Sequence, residues 1–177
     1  MPIDYGTHCA QCEFKDALHL PEADRTTRSS PLAMERGAGS VLMIFQAPGI
    51  NEWTNGRPIC STAPSSAGGR LAAAFKEAGR ARSEYNITNT VQCFPGKKMA
   101  STASRSRDKS PPASVRNHCA NWLREDIESK EYTRVVVFGS HAKKAVTKLG
   151  YADDPKFRFV KHPTGGLSKV ELLNTVA

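Results

Sequence analysis

A chain of 177 residues has the length of one domain, enough to bury a single sheet between helix layers. Lys and Arg number 25 against 17 Asp and Glu, a formal charge of +8 that favours polyanionic partners, nucleic acid first, although many basic proteins bind none. No apolar run reaches the roughly 20 residues of a bilayer-spanning helix, and Met1-Pro2-Ile3-Asp4 has neither the charged nor the apolar region of a secretion signal, so no membrane association and a soluble, cytoplasmic protein are expected.

Val41-Leu42-Met43-Ile44-Phe45 is a short apolar run bounded by Gly39-Ser40 and by Ala47-Pro48-Gly49, the pattern of a buried strand ending in a sharp loop. Across residues 66–78, Leu71, Ala74, Phe75 and Ala78 recur at offsets of three and four, and Gly79 is set to stop the helix they predict. Residues 85–89 are rich in β-formers and predict a second strand ending near Asn89. Residues 115–129 read as helix. The clearest strand is Arg134-Val135-Val136-Val137-Phe138-Gly139, followed at once by a helix over 140–149 with Gly150 at its end. Phe157-Arg158-Phe159-Val160 makes a short fourth strand that stops at Lys161-His162-Pro163.

Strands alternating with helices imply an α/β fold, here a three-layer sandwich with a central four-stranded, mainly parallel sheet flanked by helices. Ligand sites in such folds lie at the carboxyl ends of the strands. Chemistry is therefore sought first in the following loops, residues 46–57, 89–95, 139–141 and 162–165.

Five cysteines in a reducing compartment argue for metal ligation over a disulfide framework. Cys9 and Cys12 form a C-x2-C pair, which lets one turn of backbone present two thiolates to one centre, while Cys93 and Cys119 can join them only through folding. These four suit an iron-sulfur cluster, a structural zinc, or merely a set of small buried residues. Cys60 is left over as a buried thiol near the loop after the first strand.

Gln46-Ala47-Pro48-Gly49, then Glu52, then Gly56-Arg57-Pro58 together resemble the first motif of the uracil-DNA glycosylase superfamily, in particular its iron-sulfur branch, family four. Ile87-Thr88-Asn89 with Cys93, and His162-Pro163-Thr164, are similar to that branch's second and third landmarks in the same order. The resemblance spans about residues 9–167. It implies a DNA repair enzyme of base excision that hydrolyses the N-glycosidic bond of uracil in DNA and leaves an abasic site. It further implies uracil-containing DNA as partner, action as a monomer, and a 4Fe-4S cluster held by Cys9, Cys12, Cys93 and Cys119. One domain over 1–177 is expected, with an N-terminal cluster-binding segment and a basic insertion over about 96–112.

Such a reaction extrudes the nucleotide, reads its base edge and passes through an oxocarbenium-like state while negative charge collects on the departing base. Uracil presents a carbonyl beside a ring N–H, a pair that one amide can meet, and the resemblance gives that role to Asn89. It gives His162 the role of donor to the charged leaving base. Ala47, Pro48, Gly49 and Ile59 form the rest of the base site. Where the branch carries Glu, this chain has Gln46, whose neutral amide can orient water but not take its proton, so Glu52 is assigned the electrostatic or base role. Where the branch carries Phe after Gly-Arg-Pro, this chain has Ile59, an aliphatic face in place of a stacking ring.

DNA contact is expected from Lys97, Lys98, Arg105, Arg107 and Lys109, set among Ser, Thr, Ala and Pro with only Asp108 opposing them. Leu167, in the loop after His162, is the candidate wedge into the vacated base position. The other histidines, His8, His19, His118 and His141, read as surface or packing residues. Gln46 and Ile59 keep two other readings open: a superfamily member acting on another deaminated base, or a non-catalytic, metal-containing DNA-binding module.

Overall fold

Four parallel strands, β1 (Val41–Phe45), β2 (Tyr85–Asn89), β3 (Arg134–Phe138) and β4 (Phe157–Val160), form one sheet in the order β2-β1-β3-β4 in the computed structural model, which describes residues 9–25, 31–98 and 108–177. The register sets Phe45 beside Asn89, Ile44 beside Val137 and Phe138 beside Val160, so the carboxyl ends of all four strands share one edge. The expected four-stranded sheet is thus parallel throughout.

The helices are α1 (Glu22–Arg25), α2 (Ile50–Asn55), α3 (Ala67–Glu77), α4 (Ala113–Glu128), α5 (Gly139–Lys148) and α6 (Lys169–Val176). Strand side chains alternate between two apolar layers. On one face Met43, Phe45, Ile87, Val136 and Phe138 pack with Leu71 and Phe75 of α3 and Leu172 and Val176 of α6. On the other, Leu42, Ile44, Val135 and Val137 meet Leu123 and Ile127 of α4 and Ala142 and Val146 of α5. Burial on both faces is why β1 and β3 read as nearly continuous apolar runs, and the two layers make the three-layer sandwich. A third cluster, beyond the sheet edge, joins Cys12, Phe14, Trp53, Val91, Cys93, Phe94, Val115 and Cys119.

Local chemistry sets the helix ends. Ser66 caps α3 by accepting from the Gly69 N–H at 3.0 Å, and Ser168 and Glu171 form a capping box at the start of α6. Three helices go beyond the sequence expectation, the four-residue α1 and two longer ones. Helix α2 stands inside the segment read as loop, and its six residues are too few to show a helical period; Gly56, at φ 68°, ends it. Helix α6 covers the face that α3 alone would leave open. Among the described residues no helix is long and apolar enough to cross a membrane.

Candidate active site

A cavity of about 270 Å³ opens at the carboxyl edge of the sheet. Gln46, Ala47, Pro48, Gly49, Glu52, Ile59 and His162 line it, together with Phe45, Ala67, Pro95, Asp108, Lys109, Ser110 and Thr164. Seven of the residues singled out by the sequence around the base site therefore meet at one place. The parallel sheet explains this: the β1 loop supplies the first six, and the loop after β4 supplies His162.

Hydrogen bonds lock the two loops after β1 and β2 together. Thr90 donates its N–H to Phe45 O at 2.8 Å and its hydroxyl to Gln46 O at 2.7 Å, and Val91 N–H reaches Gln46 O at 3.0 Å. Asn89 ends β2 beside Phe45, is 1% exposed, and is not among the residues that line the cavity. Neither of its amide atoms has a hydrogen-bond partner. Its neighbours differ: Thr88 donates to Asp126 at 2.6 Å, and Gln92 donates to Thr88 Oγ1 at 3.2 Å and to Asn89 O at 2.9 Å. A buried amide left with both ends unpaired is costly, at about 1–3 kcal/mol per group, and uncommon in folded proteins.

His162 stands edge-on to Phe45, ring centroids 6.1 Å apart, and Phe45 stacks on Phe138 at 4.4 Å. The Thr164 backbone N–H donates to His162 Nδ1 at 3.3 Å, and the Thr164 hydroxyl lies 2.9 Å from the same nitrogen. A ring nitrogen that accepts is unprotonated, so the neutral imidazole carries its proton on Nε2. Burial lowers the His162 pKa and favours that neutral form. Arg70, on α3, fastens the loop by donating to Pro163 O and, at 2.6 Å, to Leu167 O.

That loop corrects one expectation. Leu167 is 3% exposed and packs in the core beside Leu172, so it is not displayed to a duplex. Its apolar side chain gains more from the α3–α6 layer than from solvent, and Arg70 holds its carbonyl there.

The Gly56–Ile59 turn is held by charge. Glu35 receives two hydrogen bonds from Arg57, both at 2.8 Å, and two from Arg82, at 2.9 and 2.8 Å. Burial alone would raise the Glu35 carboxyl, but the two guanidiniums outweigh it and hold the pKa at about 2. Arg82 also donates to the carbonyls of Pro58 and Ile59. Ile59 sits at φ 47°, a left-handed conformation that β-branched residues avoid, and Arg82 grips the backbone on both sides of its amide. This grip sets Ile59, 6% exposed, between core and cavity.

Glu52 is also restrained. Its carboxylate accepts from Gly49 N–H at 3.1 Å and from Ser61 N–H at 3.4 Å, closing the N-terminus of its own helix. Asp108, which the sequence offered only as the lone acid in a basic stretch, faces the same point. A Cβ on Gly49 would stand 2.8 Å from Glu52 Oε2 and 3.1 Å from Asp108 Oδ2, so both carboxylates close on this backbone. Asp108 stands on the exposed rim, yet burial raises its pKa and Glu52 raises it further against the pull of Lys97.

Lys97 pairs through its backbone with Asp108, Lys109 N–H donates to Gly96 O at 2.8 Å, and Lys97, Lys98 and Lys109 are exposed, Lys109 lining the cleft. Arg105 and Arg107 lie outside the described residues.

Cys12, Cys93 and Cys119 are buried and Cys9 partly so, all as free thiols. The Cys12 N–H bonds to Cys9 O at 3.0 Å, which closes the C-x2-C segment into one turn. Burial pushes the Cys119 thiol up to about 12 despite a Gln92 backbone hydrogen bond, with Cys12 and Cys9 adding to the rise. Cys93 is raised as well, by burial first and then by the other three thiols, so the four sense one another. Among the described residues no group of three or more His, Cys, Asp or Glu has the geometry to hold a metal ion. Cys60 is separate and only partly buried, its thiol 3.8 Å from Asn51 O.

Fold and cleft together define an α/β protein whose cavity opens at the carboxyl edge of a parallel sheet, between a restrained first loop and a histidine loop. The family model of the uracil DNA glycosylase superfamily matches residues 37–173, and the chain belongs to that superfamily. It is by class a DNA glycosylase, a hydrolase of DNA base excision repair. No curated protein matches the chain.

Proposed function

We propose that this protein removes uracil from DNA by hydrolysing the N-glycosidic bond of an extruded nucleotide. The observation that carries the reading is Asn89: a buried amide, unpaired at both ends, paired in register with Phe45, which lines the cavity together with His162. Its acceptor and donors complement the adjoining N–H and carbonyl of uracil, so binding would satisfy groups that the free protein leaves unmet. The Nε2–H of a neutral His162 would face the charge that builds on the departing base, a preorganised donor in a partly dry site. Ile59 offers an aliphatic face to the base, and Gln46 a neutral amide suited to orienting water.

Hypoxanthine and xanthine share a carbonyl next to a ring N–H, so the base is decided by assay. Purified protein is given single- and double-stranded oligonucleotides bearing uracil, hypoxanthine or xanthine. The proposal expects uracil release to dominate and to fall at least 100-fold in His162→Ala. Preference for a purine, or release unaffected by His162→Ala, would overturn it.

The same reading extends to Cys9, Cys12, Cys93 and Cys119 as ligands of a 4Fe-4S cluster. Thiols raised by burial stay protonated unless a multiply charged centre takes them as thiolates. A single zinc would draw four sulfurs to about 2.3 Å from one point, and a four-iron cluster would hold them more widely spaced. Bound there, the cluster would tie the N-terminal turn to α4 and the loop after β2. Broad visible absorbance and about four irons per chain after anaerobic purification are expected; a colourless protein with stoichiometric zinc would refute the cluster.

A further inference from the structure

The hydrolysis needs a group that accepts the proton of the attacking water, and the first-motif loop does not offer a free one. Gln46 is neutral. Glu52 spends its two oxygens on the N–H groups of Gly49 and Ser61, as the cap of α2. On the reading of the cavity as a glycosylase centre, we propose that Asp108 is the catalytic base.

Three observations support this. Asp108 lines the same cavity as Gln46 and His162. Its Oδ2 lies 3.1 Å from where a Cβ on Gly49 would stand, so the carboxylate rests against the first-motif loop although it comes from the segment between Cys93 and Cys119. Its neighbours, Lys97 and Lys109 on its own segment and Glu52 and His162 across the cavity, give it one fixed side, where Lys97 pairs with its backbone. A carboxyl raised by burial and by a second carboxylate is a better proton acceptor than an ordinary aspartate.

The step balances without a further reactant. The C1′–N1 bond breaks and its electron pair leaves with the base, opposite the Nε2–H of His162. The water oxygen bonds to C1′, one of its protons passes to an Asp108 carboxylate oxygen, and the other stays as the hydroxyl of the abasic sugar. The proton on Asp108 then goes to the base anion through solvent, which restores the carboxylate.

The test is single-turnover base release by wild type, Asp108→Asn and Asp108→Glu, with binding of a 2′-fluoro-deoxyuridine duplex and the melting temperature measured in parallel. Asp108→Asn should bind the fluorinated duplex within about twofold of wild type, melt alike, and release uracil at least 100-fold more slowly. Asp108→Glu should recover about a tenth of the rate. A rate for Asp108→Asn within threefold of wild type overturns the inference alone, as does a lost rate accompanied by lost binding. A wild type inert on uracil, hypoxanthine and xanthine overturns the proposed function, and this inference with it.

Discussion

Glu35 and Arg82 lie in a two-pronged ion pair, 2.8 Å at its shorter contact, and the same guanidinium holds the carbonyls on both sides of the Ile59 amide. The ion pair therefore sets the position of a residue that lines the cavity. Removing the charge in Glu35→Gln should cost roughly 3 kcal/mol at most, the equivalent of its pKa depression. The sign follows from linkage. Glu35 falls from its ordinary 4.5 to about 2 on folding, so its contribution is full above pH 4.5 and is lost as pH falls toward 2. Urea unfolding of wild type and variant should diverge at pH 7 and converge near pH 2; a difference independent of pH would assign the loss to packing.

Asn89 makes the opposite trade. Its unpaired amide costs the free protein stability, so Asn89→Leu, of similar volume, should unfold at equal or higher urea while uracil release drops by at least 100-fold. Loss of both together would make Asn89 a structural residue.

β1 and β3 were legible because their apolar runs are uninterrupted and followed by loops that carry Gly or Pro, β2 from its β-forming residues, and β4 from its short aromatic and β-branched run. Helices α1 and α2 were not, because four and six residues cannot display a period, and α6 was not, because its pattern became meaningful only against α3. At the site, the order of the motifs along strand ends was enough to gather Gln46, Glu52, Ile59 and His162 around one cavity. Asp108 carried no such signal. Its position depends on a chain reversal between Lys97 and Lys109, and a lone acid among lysines and arginines reads as charge relief. Leu167 misled for a related reason: a leucine in a Gly-rich loop looks exposed until Arg70, nearly a hundred residues earlier, is seen to hold it inward.

Asp126 runs against Glu35 in its pH response. It is 3% exposed beneath β2, and burial raises its carboxyl to about 6, with the Thr88 hydroxyl opposing the rise. A folded-state pKa above the ordinary 3.8 means that folding favours the protonated form, so stability declines as pH rises from 3.8 through 6. Asp126→Asn keeps an acceptor for Thr88 and removes that dependence. Unfolding at pH 7.5 should show a gain of about 1–3 kcal/mol that disappears below pH 4; an unstable variant at both pH values would show that the carboxylate is needed in its charged form.

Lys109 lines the cleft, Lys97 pairs with its neighbour Asp108, and Lys98 is exposed next in the chain; in a protein that takes up DNA their worth lies in the phosphates they neutralise. Each phosphate contact contributes about 0.9 to the slope of log K against log salt for duplex DNA. Replacing all three with Ala should therefore flatten the slope by up to about 3 for a uracil-free duplex as much as for a uracil-bearing one, since phosphates carry no base information. Single-turnover release at saturating protein should change far less than affinity, because these lysines hold the backbone and not the base. A slope equal to that of wild type would remove them from the DNA interface and leave Arg105 and Arg107 as the basic residues of that segment still to be tested.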